Sequence, residues 1–168
     1  MRALMFFLLL GVFLLSYAQE PQTPYDSFFR KSSIKYGLNS KVLKAICYVE
    51  TGLNPYAIGL SRKGKVIKSY FPKSRTEAKI ILSRLKTLSE DFNFDVGLCQ
   101  ISRAEMRALK IPPEALLNPK NNIEVAAYIL KRKILRKGYT WKAISSYNGR
   151  RDYYEKVIKV LREWKVLK

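Results

Sequence analysis

No histidine occurs anywhere in the 168 residues, and that single absence removes Ser-His-Asp triads, His-ligated zinc and imidazole acid/base chemistry together. Cysteine is almost as scarce. Cys47 and Cys99 are the only two, too few for a Cys-only zinc site. They read either as a disulfide made in an oxidising compartment or as two buried thiols acting as small apolar residues. No metal and no cofactor are expected. Acids are the third shortage: 13 Asp and Glu stand against 32 Lys and Arg, a net charge of +19. Any enzyme built on this chain must move protons with carboxylates, and it has few to choose from.

Long hydrophobic runs are missing except at the start. Arg2 precedes an apolar stretch from Ala3 to Leu15, shorter than the roughly 20 residues of a transmembrane helix. Ser16-Tyr17-Ala18 then supplies small residues where a signal peptidase prefers them. Residues 1–18 therefore read as a signal peptide, with an uncleaved N-terminal anchor as the alternative, and 19–168 as one domain with a single core. The expected location is outside the cytoplasm, in the periplasm or cell envelope, with membrane contact only through the N-terminal segment before cleavage. Without Arg2 the net charge is +18, which suits polyanions of an envelope or serves solubility alone. Export argues against nucleic acid as a partner, and the basic residues are not interleaved with aromatics as in single-strand binders.

The remaining pattern is mainly helical. Thr23-Pro24 opens a helix that Gly37 stops, and Asn39-Ser40 opens a second. Two capping-box patterns, Ser74 to Glu77 and Ser102 to Glu105, precede further helices. Asn118-Pro119 begins a helix that ends at Gly138, and Tyr153, Val157, Val160, Leu161 and Trp164 form the buried face of the last one. Between Ile58 and Phe71, Lys63-Gly64 lies between short apolar runs and predicts a small β-hairpin. "DFNFDVGLCQIS" reads as an apolar loop.

Most acids have ordinary explanations. Glu77 and Glu105 belong to the capping boxes, Asp26 and Glu124 to helix starts, Glu155 and Glu163 to a solvated face. Glu50 does not fit such a pattern. It shares a helix side with Leu43 and Ile46 and sits in the last turn before Gly52. Apolar neighbours and the negative helix end both disfavour its anion. A carboxyl held protonated is what acid-catalysed glycoside cleavage needs, although a surface pairing with Lys or Arg is the plainer reading.

"VETGLNPYAIG", "DVGLCQIS" and "ISSYNG", in that order, resemble the signature segments of the soluble lytic transglycosylase family. The likeness runs from about Tyr25 to Val160 and implies a mainly α, lysozyme-like fold, with the hairpin region as a small insertion. It is similar to the small exported variants associated with secretion systems or pili. The resemblance implies that Glu50 is the catalytic acid, followed by Thr51 where relatives carry Ser. It implies substrate binding by Gly97, Leu98 and Gln100, with Cys99 in place of the usual Met, and by Tyr147 and Asn148. The implied partner is the peptidoglycan glycan strand. The implied reaction cleaves the bond between N-acetylmuramic acid and N-acetylglucosamine and closes a 1,6-anhydro ring without water. A hydrolytic muramidase of the same fold and a non-catalytic cationic wall-binding protein are the rivals. Asp95 bears on the first, and is otherwise read as a turn-forming or capping residue.

Overall fold

The computed structural model describes residues 19–168, so the expected signal peptide lies outside the described residues. The helices are α1 (Asp26–Tyr36), α2 (Ser40–Thr51), α3 (Arg75–Leu85), α4 (Arg103–Ala108), α5 (Pro119–Lys137), α6 (Trp141–Asn148) and α7 (Tyr153–Glu163). A 3-10 turn covers Pro113–Leu117. The strands are β1 (Ile58–Arg62), β2 (Lys65–Tyr70), β3 (Phe92–Val96) and β4 (Ile101–Ser102). The mainly α expectation is met, and no helix among the described residues is long and apolar enough to cross a membrane.

Local chemistry sets the helix ends. The Asn39 side chain accepts from the Lys41 and Val42 amides and opens α2, satisfying donors that the first turn leaves unpaired. Asn118 does the same for α5 through the Lys120 amide, with Pro119 in the first turn. Both Ser members of the capping boxes cap as expected, Ser74 from Glu77 and Ser102 from Glu105. Neither glutamate takes the amide of its own cap serine: Glu77 reaches one residue further back to the Lys73 amide at 2.8 Å, and Glu105 binds Arg132 at 3.0 Å.

The core joins the helices to the sheet. α5 packs against α1 and α6, and α2 against α1 and α7. Ile46, Ile123, Ala127, Leu161 and Val157 are all solvent-free. At about 25 cal/mol per Å² of apolar surface, such burial is the main force holding the layers together.

The hairpin is real, but it belongs to a four-stranded antiparallel sheet in the order β2-β1-β3-β4. The stretch read as an apolar loop contains two of those strands. Phe92, Phe94 and Val96 alternate with Asn93 and Asp95, which is the period of a half-buried strand. Phe94 and Val96 enter the core, and the polar pair faces the other way. Asp95 is therefore neither a turn nor a capping residue.

Candidate active site

Three pieces of chain meet at the C-terminal end of α2. Gly52, at φ +64°, closes this helix with its amide on the Tyr48 carbonyl at 2.8 Å. Glu50 is thus in the final turn, where unpaired carbonyls disfavour a negative charge. A disulfide joins Cys47, one turn earlier, to Cys99 in the segment between β3 and β4. Both cysteines are fully buried. The choice left open by the sequence is resolved in favour of the bond.

The 97–100 turn is fixed from several sides. The Thr51 hydroxyl donates to the Leu98 carbonyl at 2.7 Å and accepts from the Asn54 amide at 3.1 Å. Asn122, wholly buried, donates to the Val96 and Leu116 carbonyls and accepts from the Cys99 amide. Gly97 passes so close that a Cβ there would stand 2.3 Å from Asn122 Nδ2 and 2.7 Å from the Leu116 carbonyl oxygen. Its φ of +80° is also in the left-handed region that costs other residues most. Gln100 has φ +50° and spends its side-chain amide on the Ala57 and Gly97 carbonyls at 3.1 and 2.9 Å.

A cleft of about 590 Å³ opens beside this junction, with Glu50, Asp95, Gln100, Tyr147 and Asn148 in its walls. Its sheet wall is built by register. Ser69, Gly59, Asp95 and Ser102 stand side by side in one row across the four strands, and Val66, Ser61 and Asn93 in the next. The pairing skips Ile67, a bulge that returns Val66 to the cleft face. Gly59 has no side chain where one would meet the Gln100 amide oxygen at 3.0 Å.

Asn148 donates to Glu50 Oε1 at 3.1 Å. The Tyr147 hydroxyl donates to the Cys99 carbonyl at 2.9 Å, and the Tyr153 hydroxyl to the Ile46 carbonyl at 3.4 Å. Burial raises the Glu50 pKa above the ordinary glutamate value, and the charge of Asp95 adds to the rise. Hydrogen bonds from Tyr153 and Asn148 and the charge of Lys156 oppose it without cancelling it. Burial likewise pushes Asp95 up to about 6, against a hydrogen bond from Asn93. Tyr147 is raised well above the phenol range by burial first and by Glu50 second, so it remains a neutral donor.

Of the residues singled out from sequence, Glu50, Gln100, Tyr147 and Asn148 line the cleft together. Thr51, Gly97 and Leu98 lie behind that lining, Leu98 fully buried and the Thr51 hydroxyl bound within the protein. A half-buried acid with a raised pKa on the helical wall and a second half-buried acid on the facing polar sheet suit proton transfer on a carbohydrate. A family model for the Transglycosylase SLT domain matches residues 27–160. The chain belongs to this family. Comparison with curated proteins and with solved structures gives no match.

Members of the SLT family are peptidoglycan lytic transglycosylases, so peptidoglycan is the substrate and the working location is outside the cytoplasm. In this SLT domain two contributors, Asn122 and Tyr153, were not singled out from sequence, and Asp95 was placed in the wrong local structure. Asn122 sits in a polar helix start, and its buried role depends on the Val96 carbonyl, 26 positions away. Tyr153 was expected in the α7 core, and its approach to Glu50 is set by tertiary packing. Asp95 lines the cleft instead of a turn, and the period-two alternation around it was the available signal.

Proposed function

We propose that Glu50 is the single acid and then base of a transglycosylation that ends in a 1,6-anhydromuramyl product. Protonated Glu50 gives its proton to the glycosidic oxygen between N-acetylmuramic acid and N-acetylglucosamine. The 2-acetamido group of the muramyl sugar stabilises the developing cation. The Glu50 carboxylate then takes the proton of that sugar's C6 hydroxyl as the oxygen closes on C1, and the acid is restored. The observation that carries this reading is the raised pKa of Glu50 within a glycan-sized cleft, with Asn148 holding one carboxylate oxygen.

Gln100, Tyr147 and Asn148 shape the sugar site beside Glu50. Thr51, Gly97 and Leu98 act through the turn they hold and not by touching sugar. Residues 1–18 act as a cleaved signal peptide delivering the domain to the periplasm, where a disulfide is stable. The likeness of the motifs to small exported variants supports service to a secretion or pilus assembly.

One observation favours a second reading, hydrolysis. Asp95 occupies the same cleft and interacts electrostatically with Glu50, as a second carboxylate that activates water would. Mass spectrometry of fragments from purified wall decides between them. Transglycosylation gives muropeptides one water lighter and without a reducing end. Products with the mass and reducing end of hydrolysis overturn it.

A further inference from the structure

Where α5 turns into α6 the chain reads "LRKGYTWK", Leu135 to Lys142, and every one of these residues is exposed. Leu135 is 73% exposed, Tyr139 59% and Trp141 39%, so three large apolar side chains meet water at one corner. A single exposed apolar residue is ordinary, whereas a cluster of them framed by polar groups marks a contact surface. Exposed cations are common all over this chain. Here they accompany the apolar cluster, and acids are missing: no Asp or Glu lies between Glu124 and Asp152, a stretch that holds eight Lys and Arg.

The corner is held in shape by its own backbone and by two neighbours. Gly138, at φ +73°, ends α5. The Thr140 hydroxyl donates to the Lys137 carbonyl at 3.2 Å and accepts from the Ala143 amide at 3.3 Å, which opens α6. The Tyr139 hydroxyl accepts from the Asn39 amide at 3.2 Å, so the turn is tied to the start of α2 while the ring stays exposed. Trp141 lies against Tyr154 with ring centroids 6.4 Å apart. Side chains already fixed in an outward position lose little freedom when a partner covers them.

We propose that the α5–α6 corner docks the exported domain on an anionic lipid bilayer, with Leu135, Tyr139 and Trp141 in the interface and Arg136, Lys137 and Lys142 on the headgroups. A sugar strand would stack on the two aromatic rings and leave Leu135 in water. A bilayer takes all three kinds of group: Trp and Tyr suit the headgroup level, Leu the acyl boundary beneath it, and Lys and Arg the anionic lipids. The β1–β2 hairpin also exposes Val66, Ile67 and Phe71, but its Gly64 and Val66 line the cleft, and none of Leu135, Tyr139 and Trp141 does. The contact is separate from the N-terminal segment and persists after that segment is removed. Asn148, in the cleft, lies at the far end of the α6 helix that Trp141 begins, so roughly 10 Å of helix separates the docked corner from the site. Docking there keeps the domain on glycan strands next to the membrane.

The probes are vesicles of phosphatidylglycerol and phosphatidylcholine in equal parts and vesicles of phosphatidylcholine alone, mixed with the chain from Gln19 to Lys168. Trp164 is buried and Trp141 is exposed, so a shift in tryptophan emission reports the corner itself. Native protein should sediment with the mixed vesicles about tenfold more than with the neutral ones, and its emission should move to the blue. Leu135→Ser/Trp141→Ser and, separately, Arg136→Gln/Lys137→Gln should each cut that sedimentation about tenfold, while the hairpin control Ile67→Ser/Phe71→Ser should leave it unchanged. The Gln variant alters only exposed cations and decides alone if the Ser variant fails to fold. Native protein that stays in solution with mixed vesicles, an unmoved emission, binding retained by the corner variants or an equal loss in the hairpin control overturns the inference. So does a corner variant that loses binding to purified wall and not to vesicles, which would make the corner a second glycan site. Lipid binding is read without cleavage, so a failure of the cleavage reading leaves this result standing.

Discussion

The two walls of the cleft are built on opposite terms. The helical wall, formed by the end of α2 with α6 and α7, brings Glu50, Tyr147, Asn148 and Tyr153 together over a buried disulfide and a turn whose polar groups are bonded within the protein. The sheet wall presents serines, Asn93 and Asp95 on strands that end in an exposed hairpin, where Val66 and Ile67 are 67% and 51% exposed. One side is fixed so that a proton sits at a defined place. The other is a polar surface for sugar, and its outer edge tolerates change because little is buried there.

That contrast is broken most severely at the turn behind the helical wall. Gly97→Ala should cost about 3 to 4 kcal/mol, because it combines a left-handed backbone with overlap onto Asn122 and the Leu116 carbonyl. Chemical denaturation measures the loss, and a change below about 1 kcal/mol would mean that the turn yields. Replacing both Cys47 and Cys99 by Ala comes next. The bond spans 52 positions, and closing a loop of that size is worth about 2 to 4 kcal/mol. Wall-clearing activity should fall with it, since the bond joins the helix of Glu50 to the turn that receives Tyr147.

Asp95→Asn acts on the sheet wall and has a predictable sign. The folded pKa of Asp95, about 6, lies above the 3.8 of the free side chain. Its contribution to stability is therefore full below pH 3.8 and lost as pH rises through about 6. The variant should be more stable than native protein at pH 7 and should lose this advantage under acid. It also removes a charge that raises the Glu50 pKa, so the alkaline limb of the pH–rate profile should move to lower pH. An unmoved limb contradicts the coupling. Smallest of all, Ile67→Lys on the exposed bulge should change stability by no more than about 0.5 kcal/mol in a thermal melt.

Sequence reading succeeded where the physics is local. Helical spacing put Glu50 beside Leu43 and Ile46, and Gly52 marked the helix end that holds it. Motif order brought Gln100, Tyr147 and Asn148 to the same cleft. Non-local structure escaped. The alternation in Phe92–Val96 is brief and runs straight into Gly97, and its strand character comes from pairing with β1, 30 to 38 positions earlier. Asn122 carried no local signal, because its partners belong to other segments. Thr51 and Leu98 could be matched to a motif, but whether a motif residue touches substrate or supports a neighbour depends on which way the folded chain turns it.

The most direct test is the initial rate of glycan release from purified wall by Glu50→Gln, alongside its thermal melt. A carboxyl that donates and reclaims a proton cannot be replaced by an amide of the same shape, so the rate should fall by about 10²- to 10⁴-fold with the fold intact. A folded variant that clears wall at the native rate would contradict the assignment of Glu50 as the acid.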